Sequence, residues 1–236
     1  MSADSVFELR QYTLHRGQRD TLITLFESAF VEPQNALGAH VIGIFRDLDD
    51  PDRFVWIRGF RDMRSRREAL DTFYTGPVWQ ANRAAANATM LDSDNVLLLQ
   101  PAGSVAIFAT AAASSGGTGG IIGATIYYLD STDARQFAQF FEQTMLPHVA
   151  ELGVQPIARL FTEEAPNDYP RLPIREHDRT FVRFARWANV RDEAAFVAAF
   201  SSLSGWRDSA PDAVLPALMR KPERLRLLPT AGSTLR

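Results

Sequence analysis

The chain of 236 residues is 46% hydrophobic and 22% charged, with a formal net charge of -3 and a pI near 5.8. This balance suits a packed core, argues against sustained disorder and provides no basic field for nucleic acid. Cysteine is absent, which excludes disulfides, thiolate nucleophiles, zinc ribbons and iron–sulfur ligation.

Half of the chain, about 118 residues, is itself a common domain size, so one large domain or two small ones are expected. No stretch is long and apolar enough to span a bilayer. The first residues run without a charged-then-apolar leader into a strand over Phe7–Leu14, so a cytoplasmic location is expected. A helix follows, with Leu22, Leu25, Phe26, Ala29 and Phe30 at helical spacing, interrupted at Pro33 and ended by Gly38. Strands over His40–Arg46 and Phe54–Phe60 flank a polar turn. Asp62 caps a second helix carrying Met63, Leu70, Phe73 and Tyr74. Gly76-Pro77 breaks it, Trp79 opens a short Ala/Asn-rich helix, and Val96–Leu99 closes the half before Pro101.

A Gly/Ser/Ala-rich run over 103–120 reads as a flexible connector, placing a first module at 1–102 and a second at 121–236. The second half replays the first. A strand over Ala124–Leu129 leads to a helix with Phe137, Phe141 and Met145, broken at Pro147 and ended by Gly153. Strands over Ile157–Phe161 and Phe181–Trp187 follow, then an Asn189-capped helix with Phe196 and Phe200, and a last strand over Leu225–Leu228. Phe54–Phe181 and Trp79–Trp206 share one offset, larger than that of Pro33–Pro147 by about a dozen residues. The charged, Pro-rich segment 163–179 accounts for the excess as a long hairpin loop. Each half is therefore βαββαβ, the ferredoxin-like unit, and the fold class is α+β.

Glu8-Leu-Arg-Gln-Tyr12, the proline before Gly38, Phe54-Val-Trp-Ile-Arg58, Pro77-Val-Trp79 and the run Asn87–Leu99 together resemble the NIPSNAP family, a member of the dimeric α+β-barrel group. The likeness covers about residues 6–101 clearly and is fainter over 122–230. The resemblance implies two tandem modules that press their open sheet faces together into an eight-stranded barrel within one chain.

Alternation along the strands assigns side chains to faces. If Phe7, Leu9, Val55 and Ile57 lie under the helices, then Glu8, Arg10, Tyr12, Phe54, Trp56 and Arg58 face the barrel. The counterparts there are Ala124, Ile126, Tyr128, Ile157, Arg159, Phe161, Phe181, Arg183 and Ala185. The opposite parity would bury Glu8 and Arg10 beneath helices at roughly several kcal/mol for each unpaired ion, so the first is preferred. Arginine forks among aromatic walls suit a small anionic or carbonyl-bearing ligand. A structural ion-pair network and barrel-wall packing are the bland readings of the same residues.

The related barrels imply cofactor-independent chemistry of oxygenase, isomerase or cyclase type, with a metabolite bound in the lumen. On that analogy Glu8, His40 and Tyr12 are candidate proton-transfer groups, and Arg10, Arg58 and Arg183 would hold a developing enolate. Phe54, Trp56, Tyr128, Arg159 and His148 are candidate ligand contacts. The rival reading is a non-enzymatic interaction or scaffold protein with a packed barrel. No cofactor is called for. A heme axial role for His148 is set against an ordinary packed or surface histidine, and no metal site is expected. His177 within Arg175-Glu-His-Asp-Arg179 reads as loop surface, and Asp47–Asp52 fails the EF-hand pattern because Asp52 stands where glycine is needed. Asn82, Arg83 and Asn87 read as caps or rim contacts. A small-molecule ligand and a homo-oligomer built on exposed sheet edges are the expected partners.

Overall fold

The computed structural model describes residues 4–103, 108, 120–130, 132–154, 156–203 and 209–236. Most of the 103–120 connector and Trp206, the expected counterpart of Trp79, lie outside them. The first module runs β1 (Val6–Leu14), α1 (Arg19–Leu25), a π turn (Phe26–Phe30), α2 (Val31–Ala36), β2 (His40–Asp47), β3 (Arg53–Phe60), α3 (Met63–Thr75), α4 (Pro77–Asn87) and β4 (Met90–Pro101). The second runs β5 (Ile121–Tyr128), α5 (Ala134–Phe140), a π turn (Phe141–Met145), α6 (Leu146–Glu151), β6 (Pro156–Thr162), β7 (Thr180–Trp187), α7 (Val190–Ser202), α8 (Leu215–Met219) and β8 (Glu223–Pro229). The strands form a closed barrel in the order β1-β3-β2-β8-β5-β7-β6-β4, as the duplicated βαββαβ pattern requires.

By contacts the chain forms two units: Met1–Gln100 with Glu163–Glu176 and Leu228–Leu235, and Pro101–Thr162 with His177–Leu227 and Arg236. The segment Glu163–Glu176, inserted between β6 and β7, is thus part of the first unit. Glu163 and Arg175 donate backbone N–H bonds to Leu98 and Val96 of β4, each at 2.9 Å.

The caps act as the sequence indicates. Asp62 accepts from Ser65 N at 2.7 Å, and Asn189 accepts from Asp192 N at 3.0 Å. Gly38 (φ 82°) and Gly153 (φ 77°) take the left-handed conformation that ends a helix. Neither Pro33 nor Pro147 stops its helix. Each follows a π turn, where widened pairing already displaces the i to i−4 bonds, and the helix continues to Ala36 and Glu151.

The facing of the strands corrects the sequence reading. Tyr12, Phe54 and Trp56 pack in one core with Leu22, Ile23, Phe26, Phe30 and Phe73, all from the helical layer. Trp56 meets Phe26 at 4.7 Å between ring centroids. Glu8 pairs across the sheet with Arg58, and Arg10 with Trp56, so these charged residues lie beneath the helices and not on the opposite face. That opposite face carries Phe7, Leu9, Val55 and Ile57. In the second unit Tyr127 and Phe181 pack on Phe137, and Arg183 lies over Phe196 and Phe200. Phe181, Arg183, Ala185 and Arg159 are therefore also helix-facing, while Ala124, Ile126 and Tyr128 keep the face first assigned to them. In the first unit the desolvation penalty is met because the helices themselves supply partners for the buried ions.

The two units fill equivalent ground differently. Where β1 and β3 place Glu8 and Arg58, β5 and β7 pair Gly123 with Ala185. A Cβ on Gly123 would collide with the Trp187 ring. Gly123→Ala is accordingly expected to cost about 1–3 kcal/mol of stability through overpacking, read from the midpoint of urea unfolding with an unchanged slope.

Candidate functional site

The centre of the first unit is the Glu8 carboxylate, fully buried. Its Oε2 accepts from Arg58 Nε and from Arg10 Nη1, each at 2.8 Å, and its Oε1 accepts from Arg66 Nε at 2.7 Å. Arg58 also donates to Gln34 Oε1 at 2.7 Å, which ties β3 to α2. Arg66, on α3, donates onward to Asp168 Oδ1 at 2.5 Å, which ties the buried cluster to the Glu163–Glu176 segment. Burial alone would raise the Glu8 pKa. The guanidinium groups of Arg58, Arg10 and Arg66 override it and hold the carboxyl well below the usual range.

Arg10 carries the cluster outward. Its Nε donates to the Tyr12 hydroxyl at 2.9 Å, and its guanidinium lies 5.4 Å from the Tyr12 ring centroid and 5.6 Å from that of Trp56. Burial pushes the Tyr12 pKa up, against the opposing pull of Arg10. Tyr12 is therefore a neutral phenol near neutral pH. With a lone pair taken by Arg10, its own proton is left to donate.

Tyr12 lines a cleft of about 340 Å³ with Tyr74, Trp79, Arg83, Asn87, Ser93, Tyr169 and Arg171 among its walls. That volume is at the small end of ligand pockets. The cleft arises from a local irregularity. The β1–β4 ladder pairs Gln11 with Asn95 and Thr13 with Asp92, leaving Tyr12 unpaired on β4 beside Ser93. Tyr74 and Trp79 meet edge-on at 4.9 Å, and Tyr169 of the inserted segment stacks on Tyr74 at 6.2 Å. Burial also raises the Tyr169 pKa, with the Arg171 guanidinium pulling it down.

Of the residues singled out from sequence, Glu8, Arg10, Tyr12, Trp56 and Arg58 converge here, with Phe54 packed against Tyr12 at 6.0 Å. His40 does not join them. It is exposed, with Nδ1 2.9 Å from Asp4 Oδ1, on a separate groove with Ser65 and Glu68. His148 is partly exposed and sits 3.4 Å from Glu151. Tyr128 donates to Glu223 Oε2 at 2.5 Å, on the face away from the helices of its unit. Arg159 and Arg183 belong to the second unit.

Sequence reasoning missed Arg66, Gln34, Asp168 and Tyr169. Arg66 carries a weak signal, since it falls one turn after the Asp62 cap on the same side of the helix as Leu70 and Phe73. Asp168 and Tyr169 carry none, because nothing local says where a long loop lands. The acidic run forms Asx turns, Asp49 N donating to Asp47 and Asp52 N to Asp50. Among the described residues no three His, Asp or Glu side chains gather as a metal site, and no helix is long and apolar enough to cross a membrane.

Two βαββαβ modules in one closed barrel, with a buried ionic cluster under the helices of the first, define a tandem α+β-barrel protein. Residues 7–104 match the NIPSNAP family model, so the first module is similar to the domain of that family. Three solved structures share the whole-chain fold. An anthrone oxidase-like protein is 11% identical over 97% of this chain and 92% of its own, with a TM-score of 0.59. A monooxygenase-like protein from Lactobacillus acidophilus NCFM is 14% identical over 96% and 94%, with a TM-score of 0.56. Another from Fusobacterium nucleatum is 9% identical over 97% and 94%, with a TM-score of 0.55. No curated protein sequence matches the chain.

Glu8→Gln removes the anion from beneath three guanidinium groups and is expected to cost about 3–5 kcal/mol at neutral pH. The pH dependence has a definite sign. The unfolded chain takes up a proton at Glu8 near pH 4.3 while the native state does not, so stability falls by about 1.4 kcal/mol per pH unit below that point. This contribution is present in full at higher pH and is lost as the pH drops toward the depressed native value. Urea unfolding across pH 3–6 (roughly the range spanning that pKa) should show a fall in stability toward acid that is steeper in the native protein than in Glu8→Gln by about this amount.

Proposed function

We propose that the first module binds a small planar, carbonyl-bearing ligand in the Tyr12 cleft, with the Tyr12 hydroxyl donating a hydrogen bond to the carbonyl oxygen. The carrying observation is the Arg10–Tyr12 contact at 2.9 Å. It fixes a neutral phenol at a cleft wall and backs it with three guanidinium groups that share the carboxylates of Glu8 and Asp168. Tyr74, Trp79 and Tyr169 provide flat faces for a ring system, and Arg83 and Arg171 supply positive charge at the rim.

Such a site polarises a carbonyl and stabilises the enolate formed when an adjacent C–H loses its proton. Among the described residues the lining contains no carboxylate or imidazole, so the proton leaves to solvent or to a basic group on the ligand. The site therefore suits ligands whose C–H is already acidic, such as phenolic or polycyclic ketones. The shared fold with an anthrone oxidase-like protein and with monooxygenase-like proteins supports this class and the cofactor-independent oxygenase reading.

The test is titration with anthrone, following tryptophan fluorescence and oxygen uptake. Quenching that disappears in Trp79→Phe is expected, together with oxygen consumption that falls by about 10²–10³ in Tyr12→Phe, the usual cost of an oxyanion donor. A folded protein that neither binds anthrone nor is stabilised by any planar ketone would overturn the reading.

A further inference from the structure

The second unit contains a buried cation that the described residues leave uncompensated. Arg183 on β7 is 3% exposed, and its Nε and Nη1 have no hydrogen-bond partner. Among the described residues no carboxylate lies within ion-pair distance of it. Its guanidinium rests over Phe196 at 5.5 Å and Phe200 at 5.9 Å, both on α7. Two ring faces return only part of what removing a guanidinium from water costs.

The surroundings hold further donors, and the buried carboxylate of α7, Glu193, is already paired with Arg226 at 3.1 Å. Arg159 of β6 is the direct cross-strand neighbour of Arg183 and shares its face. It is also buried, and its counter-charge is Glu142 of the π turn, 3.2 Å away and about half exposed. Trp187 packs on Phe196 at 5.5 Å and has a buried Nε1 without a partner. Phe181, two residues before Arg183, joins Phe141 to extend the apolar wall.

The first unit offers an internal control. By strand pairing, the positions of Arg159 and Arg183 correspond there to Ile44 and Trp56, an apolar pair. Its own buried arginines between sheet and helices are Arg10, Arg58 and Arg66, and each is matched to Glu8. The second unit has thus lost the acid of the first and placed two arginines elsewhere.

We propose that the helix-facing side of the second unit binds a small apolar carboxylate. Arg183 grips the carboxylate with Arg159 beside it, and Phe181, Phe196 and Phe200 enclose the hydrocarbon or aryl body. A monoanion matches one unpaired guanidinium, and phenyl walls do not replace the water shell of a phosphate dianion. This site shares no residue with the Tyr12 cleft.

The experiment is calorimetry and thermal unfolding of the full chain with benzoate, with inorganic phosphate in a parallel arm. Benzoate is expected to bind and raise the melting temperature while phosphate does neither. Arg183→Met should weaken benzoate binding by roughly tenfold or more, the value of a charged hydrogen bond, while Trp79→Phe leaves it unaltered. Arg183→Met should also melt higher than the native chain without ligand, because it removes an unpaired buried charge. Arg183→Lys, which keeps the charge and the fold, should bind with intermediate affinity. Absence of benzoate binding by the native chain, preference for phosphate, undiminished binding by Arg183→Met, or a lower ligand-free melting temperature in that variant would each overturn the proposal.

Discussion

One buried carboxylate organises the first half of this protein. Glu8 is shared by guanidinium groups from its own strand, from β3 and from α3, so the sheet and its helical cover are joined by charge as well as by apolar contact. An ion in that position is tolerated only when its oxygens are fully engaged, and here both are. The same arginines reach outward, Arg10 to Tyr12, Arg58 to Gln34 and Arg66 to Asp168. The orientation of the cleft phenol, the seating of α2 and the docking of the inserted segment therefore rest on the same cluster.

The second half shows what the fold does without that carboxylate. Its sheet and helices keep the caps, the π turns and the glycine that ends each first helix, yet Gly123 and Ala185 stand at the Glu8 and Arg58 positions, with the Trp187 ring over Gly123. Val149, fully buried, occupies the place of Gln34, and Glu193, paired with Arg226 at 3.1 Å, occupies that of Arg66. Architecture has survived duplication while the polar interior has been rewritten. The two units consequently offer different chemistry on equivalent faces: a polarised phenol in one and an unpaired guanidinium in the other.

The duplicated fold was legible because it is written in local signals: Asp62 and Asn189 as caps, Gly38 and Gly153 as stops, and alternation along each strand. The facing of β1 and β3 was not. Their alternate residues are apolar on one side and mixed aromatic and charged on the other, and placing Glu8 and Arg10 beneath helices is costly only while each ion is unpaired. Their compensation comes from Arg66 and Gln34, whose roles depend on helix packing that no period reveals. The bulge in β2 between Val41 and Gly43 also shifts register, so Ile42 and Ile44 do not share a face as simple alternation requires. The cleft was invisible for a similar reason. It needs an irregular β1–β4 pairing at Tyr12 and a tyrosine, Tyr169, delivered from far along the chain.

The central claim is that the Glu8 cluster holds Tyr12 as a neutral hydrogen-bond donor at the cleft. The most direct measurement is a pH titration of the protein with carbon-13 at the tyrosine ζ position, with the Tyr12→Phe variant assigning one of the five tyrosine signals. The account predicts that the Tyr12 resonance stays in its protonated position past pH 10 or so, where ordinary tyrosines ionise, for as long as the protein remains folded. A Tyr12 signal that titrates at or below that value would contradict it.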